Sequence, residues 1–309
     1  MAIYRLEAKI IGRSSGKSAV GAAAYRSGRS ILSVAAYRAS EKLHDQSRDI
    51  TFDYSRKERV EHSEIMAPPG SPEWAYDREK LWNAVEARED RSNRPDDAQL
   101  AREVLVTLPR ELSADECIAL VQGFVRDEFM DNGMVADFSI HRPDASDGGA
   151  QPHAHVLLTM RHLEDGKFTS KAREWNWRVN DWRVAWQEHA NAALEASGRP
   201  ERIDHRSLEA RGINRAPQPK LGVSMHARSA QAHHAARRAH HAHVQHQNRV
   251  SAQARAIERL REGKRLPPGI HPSYGSQIAP ERTRQVEAGK DLRRRRRVHA
   301  NDREQGFDG

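Results

Sequence analysis

The sequence predicts an α+β protein in which a central antiparallel sheet with a histidine-bearing hairpin is flanked by helices. Two observations indicate the sheet: strand-like runs at 3–11 and 100–109, and two further apolar runs, 134–141 and 153–160, joined by a polar loop. Helical spacing of apolar residues between and after these runs predicts the flanking helices. A helical, partly disordered basic C-terminal tail is expected after them.

The N-terminal strand leads into a loop and a short alanine-rich helix. Ser18 comes after a Gly/Ser-rich loop and is a suitable N-cap for that helix. The region contains a near-repeat, since SAVGAAAYRSG (18–28) is echoed by SILSVAAYRAS (30–40). Residues 42–75 are polar and contain turn-forming residues, so we expect them to be irregular.

The middle of the chain alternates helices and strands. Helical spacing predicts a helix over 77–90, and Pro109 stops the strand that comes after it. Ser113 is the predicted N-cap of an amphipathic helix. The runs 134–141 and 153–160 are most simply an antiparallel pair in one sheet.

A last helix of the folded part is predicted over 177–198, where Gly198 is a suitable C-cap. Beyond about residue 221 the chain is rich in Ala, His and Arg, and it has almost no large apolar residues. We therefore expect one folded domain at 1–220, and after it, at 221–309, an Ala/His/Arg-rich helix and a disordered basic tail.

Composition restricts the class of protein. The 309 residues carry a formal net charge of +8, which favours phosphate-rich partners, with nucleic acid ahead of an anionic membrane surface. One cysteine excludes an internal disulfide framework and a cysteine-based zinc cluster, and it favours a reducing, cytoplasmic setting. No window resembles a signal peptide or a membrane span, so membrane insertion is not expected.

The chemistry-bearing pattern is QPHAHVLLTM, residues 151–160. Side chains alternate along a strand, so His153 and His155 point to the same face. If the preceding strand pairs antiparallel, His141 lies beside them and supplies a third imidazole. Three imidazoles form a credible divalent metal site with open positions, whereas two strand histidines alone are usually a half-exposed polar edge.

A metal at this position would stabilise the charge that develops on a phosphodiester during in-line displacement. The reaction would also need a nucleophile. A deprotonated tyrosine hydroxyl can attack phosphorus and retain the DNA as a phosphotyrosine, and Tyr25 and Tyr37 of the near-repeat are the candidates. On one continuous helix, positions twelve apart differ by about 120° and about 18 Å, so both could not face one metal.

Several segments together resemble the MobA/MobL relaxases of mobilizable plasmids. They are MAIYRLEAKIIGRSSGKSAVGAAAYRSG (1–28), LWNAVEARED (81–90), LAREVLVTLP (100–109), the FSIH and QPHAHVLLTM strands (138–141 and 151–160) and IDHRSLEARGI (203–213). The resemblance covers about residues 1–220. It implies an HUH-type relaxase, which nicks one strand at a plasmid transfer origin by metal-dependent transesterification and forms a 5′-phosphotyrosine adduct for conjugative mobilization.

The resemblance also implies roles for particular residues. His141, His153 and His155 match the metal-binding histidines, with Mg or Mn as the expected divalent ion. Glu103 matches the family's acidic residue, which we expect to orient a histidine or to assist the tyrosine. The implied partners are single-stranded DNA at a transfer origin, relaxosome accessory proteins and a type IV secretion coupling protein, in a bacterial cytoplasm.

The sequence departs from the family at the nucleophile. Relatives usually have one AAYR segment that runs directly into a sequence like EKLHD, whereas this chain has two AAYR segments. Distance from the first strand favours Tyr25, and the downstream context favours Tyr37. We expect Tyr25 to be the nucleophile, because the first strand fixes the position of the segment next to it.

DNA contacts are less sharply indicated. Arg13, Lys17, Arg26 and Arg29 surround the tyrosine segment and are expected to bind phosphates near the nick, the alternative being ordinary solvated charge. The seven histidines between residues 226 and 246 are interpreted as a low-complexity helix surface. The arginines at 293–297 are expected to add salt-sensitive, nonspecific DNA affinity.

Three other functions stay open at this point. A metal-dependent nuclease that hydrolyses DNA with water would retain cleavage after replacement of both tyrosines. A rolling-circle replication initiator or transposase-type HUH nickase would use the same chemistry on a different DNA. A non-catalytic, basic DNA-binding accessory protein would tolerate replacement of both tyrosines by phenylalanine.

Overall fold

The structure, a computed structural model, describes residues 4–13, 30–57, 60–144, 148–173, 175, 177–216 and 235–262. Its strands are β1 (Leu6–Gly12), β2 (Lys42–Asp45), β3 (Ile50–Asp53), β4 (Val60–Met66), β5 (Gln99–Thr107), β6 (Ala136–His141), β7 (His153–Thr159), β8 (Arg161–Glu164) and β9 (Lys167–Lys171). Its α-helices are α1 (Ile31–Ala39), α2 (Arg78–Asp90), α3 (Ala114–Glu128), α4 (Val179–Ala196) and α5 (Ala235–Arg261). Contacts divide the chain into two compact units between Ser207 and Leu208.

A five-stranded antiparallel sheet forms the centre of the first unit. Its strand order is β1-β5-β7-β6-β4, while β2–β3 and β8–β9 form separate two-stranded sheets. The predicted α+β class with a central antiparallel sheet is therefore confirmed. The predicted hairpin is also present, with β6 and β7 paired along their length.

One face of the central sheet packs against α3 and α4. Val156 of β7 and Phe138 of β6 are fully buried there, in one core with Phe124 of α3 and with Trp182 and Trp186 of α4. The amphipathic helix predicted after Ser113 thus covers this apolar face. Its N-terminus has a capping box between Ser113 and Glu116.

The other face is covered by α1, α2 and the β2–β3 hairpin. Leu157 of β7 and Ala101 of β5 share a second buried core with Ile31 of α1 and Trp82 of α2. Both faces of β7 are therefore buried, except at His153, which is half-buried at the start of the strand.

The helix α1 contains the second half of the near-repeat. Ser30 has extended backbone angles (φ −88°, ψ 137°), and its side chain accepts a hydrogen bond from Leu32 N, so the helix begins at Ile31. It ends at Ser40, which has a left-handed conformation with φ 55°. One continuous helix through Ser30 is therefore excluded. Ser18 and Tyr25 lie outside the described residues.

The expectation that residues 42–75 are irregular was wrong. They contain β2 and β3, which turn around Asp49 with φ 52°, and β4, which is an edge strand of the central sheet. The side chains of β4 are mostly half-buried, so its sequence lacks the apolar alternation that marks a strand with one buried face.

The second unit contains the helix α5, in agreement with the predicted Ala/His/Arg-rich helix. The predicted boundary at 220/221 and the basic tail beyond residue 262 lie outside the described residues, so that domain division stays a prediction. Within the described ranges, no helix combines the length and the hydropathy that crossing a bilayer requires.

Candidate metal centre

Three imidazoles meet on the α1-covered face of the sheet. His141 and His153 are paired directly in the β6–β7 register, and His155 is two positions further along the same face of β7. The ring centroids are 5.0–5.4 Å apart. One ligand atom from each residue lies within 4.8 Å of the others, so the structure brings the three predicted metal ligands together.

The backbone fixes the orientation of two of these rings. His141 Nε2 donates to the Arg38 carbonyl oxygen at 2.8 Å, and His153 Nδ1 donates to the Gln151 carbonyl oxygen at 3.0 Å. These bonds assign the protons to those nitrogens. The lone pairs of His141 Nδ1 and His153 Nε2 are left to bind a cation.

The third ring is held by Glu103, on the neighbouring strand β5. His155 Nδ1 donates to Glu103 Oε1 at 2.7 Å, which leaves the lone pair of His155 Nε2 available to a cation. The same carboxylate forms ion pairs with Arg38 at 2.7 Å and with Lys9 at 2.5 Å. Glu103 is almost completely buried and lies next to the histidines, while its predicted functional role stays a prediction.

These contacts determine the charge states. Burial alone would raise the pKa of Glu103, but the hydrogen bond from His155 and the charge of Arg38 hold that pKa well below its usual range. Burial lowers the pKa of His155 to about 3 and that of His141 to about 4, and it also lowers the pKa of His153. At neutral pH the carboxylate is ionised and the imidazoles are neutral, which is the form that binds metal.

The C-terminal end of α1 contacts His141 directly. The Tyr37 ring packs edge-on against Tyr54, with 5.4 Å between centroids. Lys57 Nζ lies 3.7 Å from the centroid of the Tyr37 ring and donates to the Tyr37 carbonyl oxygen at 2.9 Å. The next carbonyl, that of Arg38, is the one that binds His141. The predicted alternative nucleophile is thus on the helix that borders the centre.

Arg13 is located differently from what its predicted role requires. Its side chain is buried, and its guanidinium forms ion pairs with Glu86 at 2.5 Å and Asp90 at 2.7 Å. Because both carboxylates are supplied by α2, this arrangement disfavours the predicted contact with DNA phosphate. The other predicted DNA-binding residues, Lys17, Arg26 and Arg29, lie outside the described residues.

The sequence analysis missed three cations of the site: Lys9, Arg38 and Lys57. Lys9 is the direct cross-strand partner of Glu103 in the β1–β5 register. That pairing joins residues 94 positions apart, so a cross-strand charge rule finds it only when the register is known. Arg38 and Lys57 come from a helix and from the segment after β3, and no periodic pattern indicates them.

Two further motifs are not part of the centre. In the IDHRSLEARGI segment, Asp204 accepts from Arg206, and His205 is held by Gln187 and packs edge-on against Tyr4. Four of the C-terminal histidines lie on α5: His240, His241, His243 and His246. Within the described part of the chain they form no candidate metal cluster.

A model of the MobA/MobL family matches residues 29–231 of the chain. The chain belongs to the MobA/MobL family. The matched region contains the three histidines, Glu103 and Tyr37, and it begins after Tyr25.

Curated relatives of this MobA/MobL chain include the mobilization protein MobL of Acidithiobacillus ferridurans, 37% identical over 254 residues, covering 72% of this chain and 62% of MobL. The conjugal transfer protein TraA of Rhizobium radiobacter is 35% identical over 256 residues, covering 72% of this chain and 21% of TraA. The chain therefore spans less than two thirds of the length of these relatives. A solved structure concerned with the molecular basis of vancomycin resistance transfer in Staphylococcus aureus is 28% identical, with a TM-score of 0.57, over 67% of this chain and all of that one.

Proposed function

We propose that this MobA/MobL protein is a relaxase that nicks one DNA strand at a plasmid transfer origin and retains the strand as a 5′-phosphotyrosine. The observation that carries the proposal is the cluster of three neutral imidazoles, each oriented by an acceptor, on the sheet face bordered by a tyrosine-bearing helix. In this family setting, a metal site beside a tyrosine fits phosphodiester transesterification.

The donor set fits a divalent cation. His141 Nδ1, His153 Nε2 and His155 Nε2 would hold it, because the opposite nitrogen of each ring is occupied by a hydrogen bond. A bound divalent ion supplies positive charge that stabilises the phosphate as negative charge develops on it. We propose Mg or Mn as the native ion.

Glu103 acts in this scheme as a positioning residue. Its carboxylate accepts from His155 and is neutralised by Arg38 and Lys9, so it is a poor proton acceptor for a tyrosine. Of the two roles expected from the sequence, the contacts support orientation of the histidine. Arg38 links this carboxylate to α1, because its guanidinium binds Glu103 while its carbonyl binds His141.

The nucleophile is a tyrosine of the near-repeat. Its hydroxyl oxygen attacks phosphorus, the bond from phosphorus to the 3′ oxygen breaks, and the phenolic proton passes through solvent to the leaving 3′ oxygen. The sequence favoured Tyr25, but two observations support Tyr37: its helix borders the histidines, and the family match begins at residue 29. We therefore propose Tyr37, with Tyr25 retained as the alternative.

The relatives favour a transfer origin as the substrate. They are named for mobilization and conjugal transfer, whereas a replication initiator or transposase would act on a replication origin or a transposon end. Single-stranded transfer-origin DNA is thus the proposed substrate. Relaxosome accessory proteins and a type IV secretion coupling protein are the proposed partners, in the bacterial cytoplasm.

The test uses oligonucleotides tiled across the cognate transfer origin, with Mg or Mn and with chelator. The wild type, Tyr25→Phe, Tyr37→Phe and His153→Ala are compared on a denaturing protein gel, and the adduct is mapped by mass spectrometry. We expect a metal-dependent adduct that Tyr37→Phe and His153→Ala abolish. An adduct lost instead in Tyr25→Phe would reverse the choice of tyrosine. Tight DNA binding without any adduct would favour the accessory protein, and cleavage without an adduct would favour hydrolysis.

A further inference from the structure

Among the residues that the structure describes, positive charge exceeds negative charge beside the histidines. Lys9, Arg38 and Lys57 lie around the cluster, and the Glu103 carboxylate lies among them. Glu103 is shared between Lys9 and Arg38, so its charge is already balanced without Lys57. Because the imidazoles are neutral, a metal ion would increase this excess, and an incoming anion would reduce it.

The position of Lys57 is fixed by the end of α1. Its ammonium group donates to the Tyr37 carbonyl oxygen, and the next carbonyl, that of Arg38, accepts from His141. Consecutive carbonyls thus hold the lysine and a histidine side by side. The charge of Lys57 contributes to lowering the pKa of both His141 and His153, after the larger effect of burial.

Among the described residues, Lys57 forms no ion pair with a carboxylate. Burial, reinforced by the charge of Arg38, lowers the pKa of Lys57 to about 8. The ammonium group uses one hydrogen for the Tyr37 carbonyl and faces the aromatic ring, so it keeps donor capacity for another acceptor. A half-buried cation without a counter-ion is costly unless an anion binds to it.

We propose that Lys57 Nζ binds a non-bridging oxygen of the DNA phosphate that enters the metal centre. The inference deepens the proposed function and rests on it for the identity of the substrate. The contact is a charge-assisted hydrogen bond, and no covalent bond of the lysine changes. It places the phosphate beside His141, because the carbonyl that binds Lys57 and the carbonyl that binds His141 are consecutive.

The competing explanation is purely structural. A lysine at a helix C-terminus stabilises the last carbonyls and interacts favourably with the helix dipole. Such a role predicts a change in stability on removal of Lys57, but it predicts no phosphate contact. The number of phosphate contacts can be measured separately, because it sets the salt dependence of DNA binding.

The experiment compares the wild type with Lys57→Met, Lys57→Arg and Lys167→Met. Lys167 is exposed on β9, beyond the end of β7 opposite to His153, so its replacement removes the same charge from a distant place. Fluorescence anisotropy gives the Kd for a cognate single-stranded oligonucleotide at several salt concentrations, with a matched oligonucleotide that carries a neutral methylphosphonate at the cleavage position. Thermal unfolding reports the stability of each variant.

We expect Lys57→Met to weaken binding roughly tenfold or more, and to reduce the slope of log affinity against log salt by about 0.7. Lys57→Arg should recover most of the affinity and of the salt slope, and Lys167→Met should change neither quantity appreciably. With the methylphosphonate oligonucleotide, Lys57→Met and the wild type should bind equally. A lower melting temperature with an unchanged salt slope would overturn the inference and leave Lys57 as a helix cap. Equal effects of Lys57→Met and Lys167→Met would overturn it as well.

This outcome is separable from that of the nicking assay. If the wild type forms no adduct, the relaxase proposal fails, yet the salt slopes still show whether Lys57 contacts phosphate. If the wild type forms the adduct and Lys57→Met cleaves and binds as Lys167→Met does, the nicking function stands and the Lys57 inference fails.

Discussion

The two faces of β7 are stabilised by different interactions. Ala154, Val156 and Leu158 point to the face under α3 and α4, where the neighbours are apolar and the core is held by shape and burial. His153 and His155 point to the face under α1, where each imidazole needs a hydrogen-bond acceptor. A strand buried on both sides can therefore carry a polar site, provided that the fold supplies a hydrogen-bond acceptor for each polar side chain.

This difference predicts which face tolerates substitution. On the apolar face, a substitution that preserves volume keeps the packing, because contacts there are not directional. On the histidine face, Glu103 and Arg38 form a buried ion pair, and removal of Glu103 leaves the buried Arg38 guanidinium without that partner. Stability should therefore depend mainly on the first face, and chemistry on the second.

Loss of a ligand should have the largest effect. His155→Ala should lower metal affinity by more than about 100-fold and remove the proposed nicking activity, since loss of an outer-shell partner alone costs up to about that much. Titration calorimetry with Mn measures the affinity. His44→Ala, on β2, is the control, because His44 is on the surface and contacts Thr51. Unchanged affinity in His155→Ala would remove the histidine from the centre.

Truncation on the apolar face should have the largest effect on stability. Phe124 is fully buried and packs edge-on against Phe129 and Trp186. Phe124→Ala should reduce the free energy of unfolding by about 3–5 kcal/mol, as measured by urea denaturation. Metal affinity per folded molecule should be unchanged, and a large loss of affinity would show that the two faces are coupled.

A fall in pH should destabilise the histidine face more than the apolar face. In metal-free protein, unfolded imidazoles bind protons as the pH falls below about 6.5, whereas folded His141 resists protonation until about pH 4. The unfolded state then binds more protons, so stability should fall by a few kcal/mol as the pH falls through this window. Protonation of Glu103 at lower pH should reduce stability further, because its pKa is depressed in the folded state and the carboxylate stabilises the fold only while it is ionised. Urea denaturation across pH with His141→Gln as comparison measures the effect, and an identical pH slope in that variant would contradict it.

Neutralising the carboxylate should have an intermediate effect. Glu103→Gln keeps the shape but removes the charge shared by Arg38 and Lys9 and weakens the acceptor for His155. We expect a loss of about 10–100-fold in Mn affinity. Glu116→Gln, at the surface capping box of α3, should leave the affinity unchanged. Wild-type affinity in Glu103→Gln would show that the carboxylate does not orient the histidine.

The smallest effects should come from the helix caps. Ser30→Ala and Ser113→Ala each remove a side-chain acceptor at a helix N-terminus, of α1 and α3 respectively, and each should cost about 1 kcal/mol of stability. Only Ser30→Ala should also reduce Mn affinity, because α1 carries the carbonyl that orients His141. Equal Mn affinities in both variants would show that α1 is not needed to orient the imidazole.

The central part of the fold and the histidines were predictable because local patterns encode them. Strand-like and apolar runs predicted β5, β6 and β7, a capping serine predicted the start of α3, and side-chain alternation along a strand placed His153 and His155 together. The strands between 42 and 66 were not predictable, since β2 and β3 are four residues long and β4 gains its identity from pairing with β6.

The charged residues of the site were also hard to predict, because their partners are set by tertiary structure. Glu103 was found through the family resemblance, but its partners Lys9 and Arg38 are brought to it by sheet register and helix packing. For Arg13, its position near the tyrosine segment suggested a DNA contact, whereas the fold pairs its guanidinium with Glu86. The partner of a charged residue is set by the fold and cannot be identified from its position in the sequence alone.

The order in which the strands lie differs from the order in which they are synthesised. β5 pairs with β1, β6 pairs with β4, and β7, which emerges last of the five, lies between β5 and β6 and joins the two pairs. A nascent chain that has not reached residue 159 therefore holds two half-sheets, each with an inner edge lacking its partner, and such edges promote aggregation. The strand that brings His153 and His155 also closes the sheet, so a chain stopped before it lacks the metal site and is prone to aggregate.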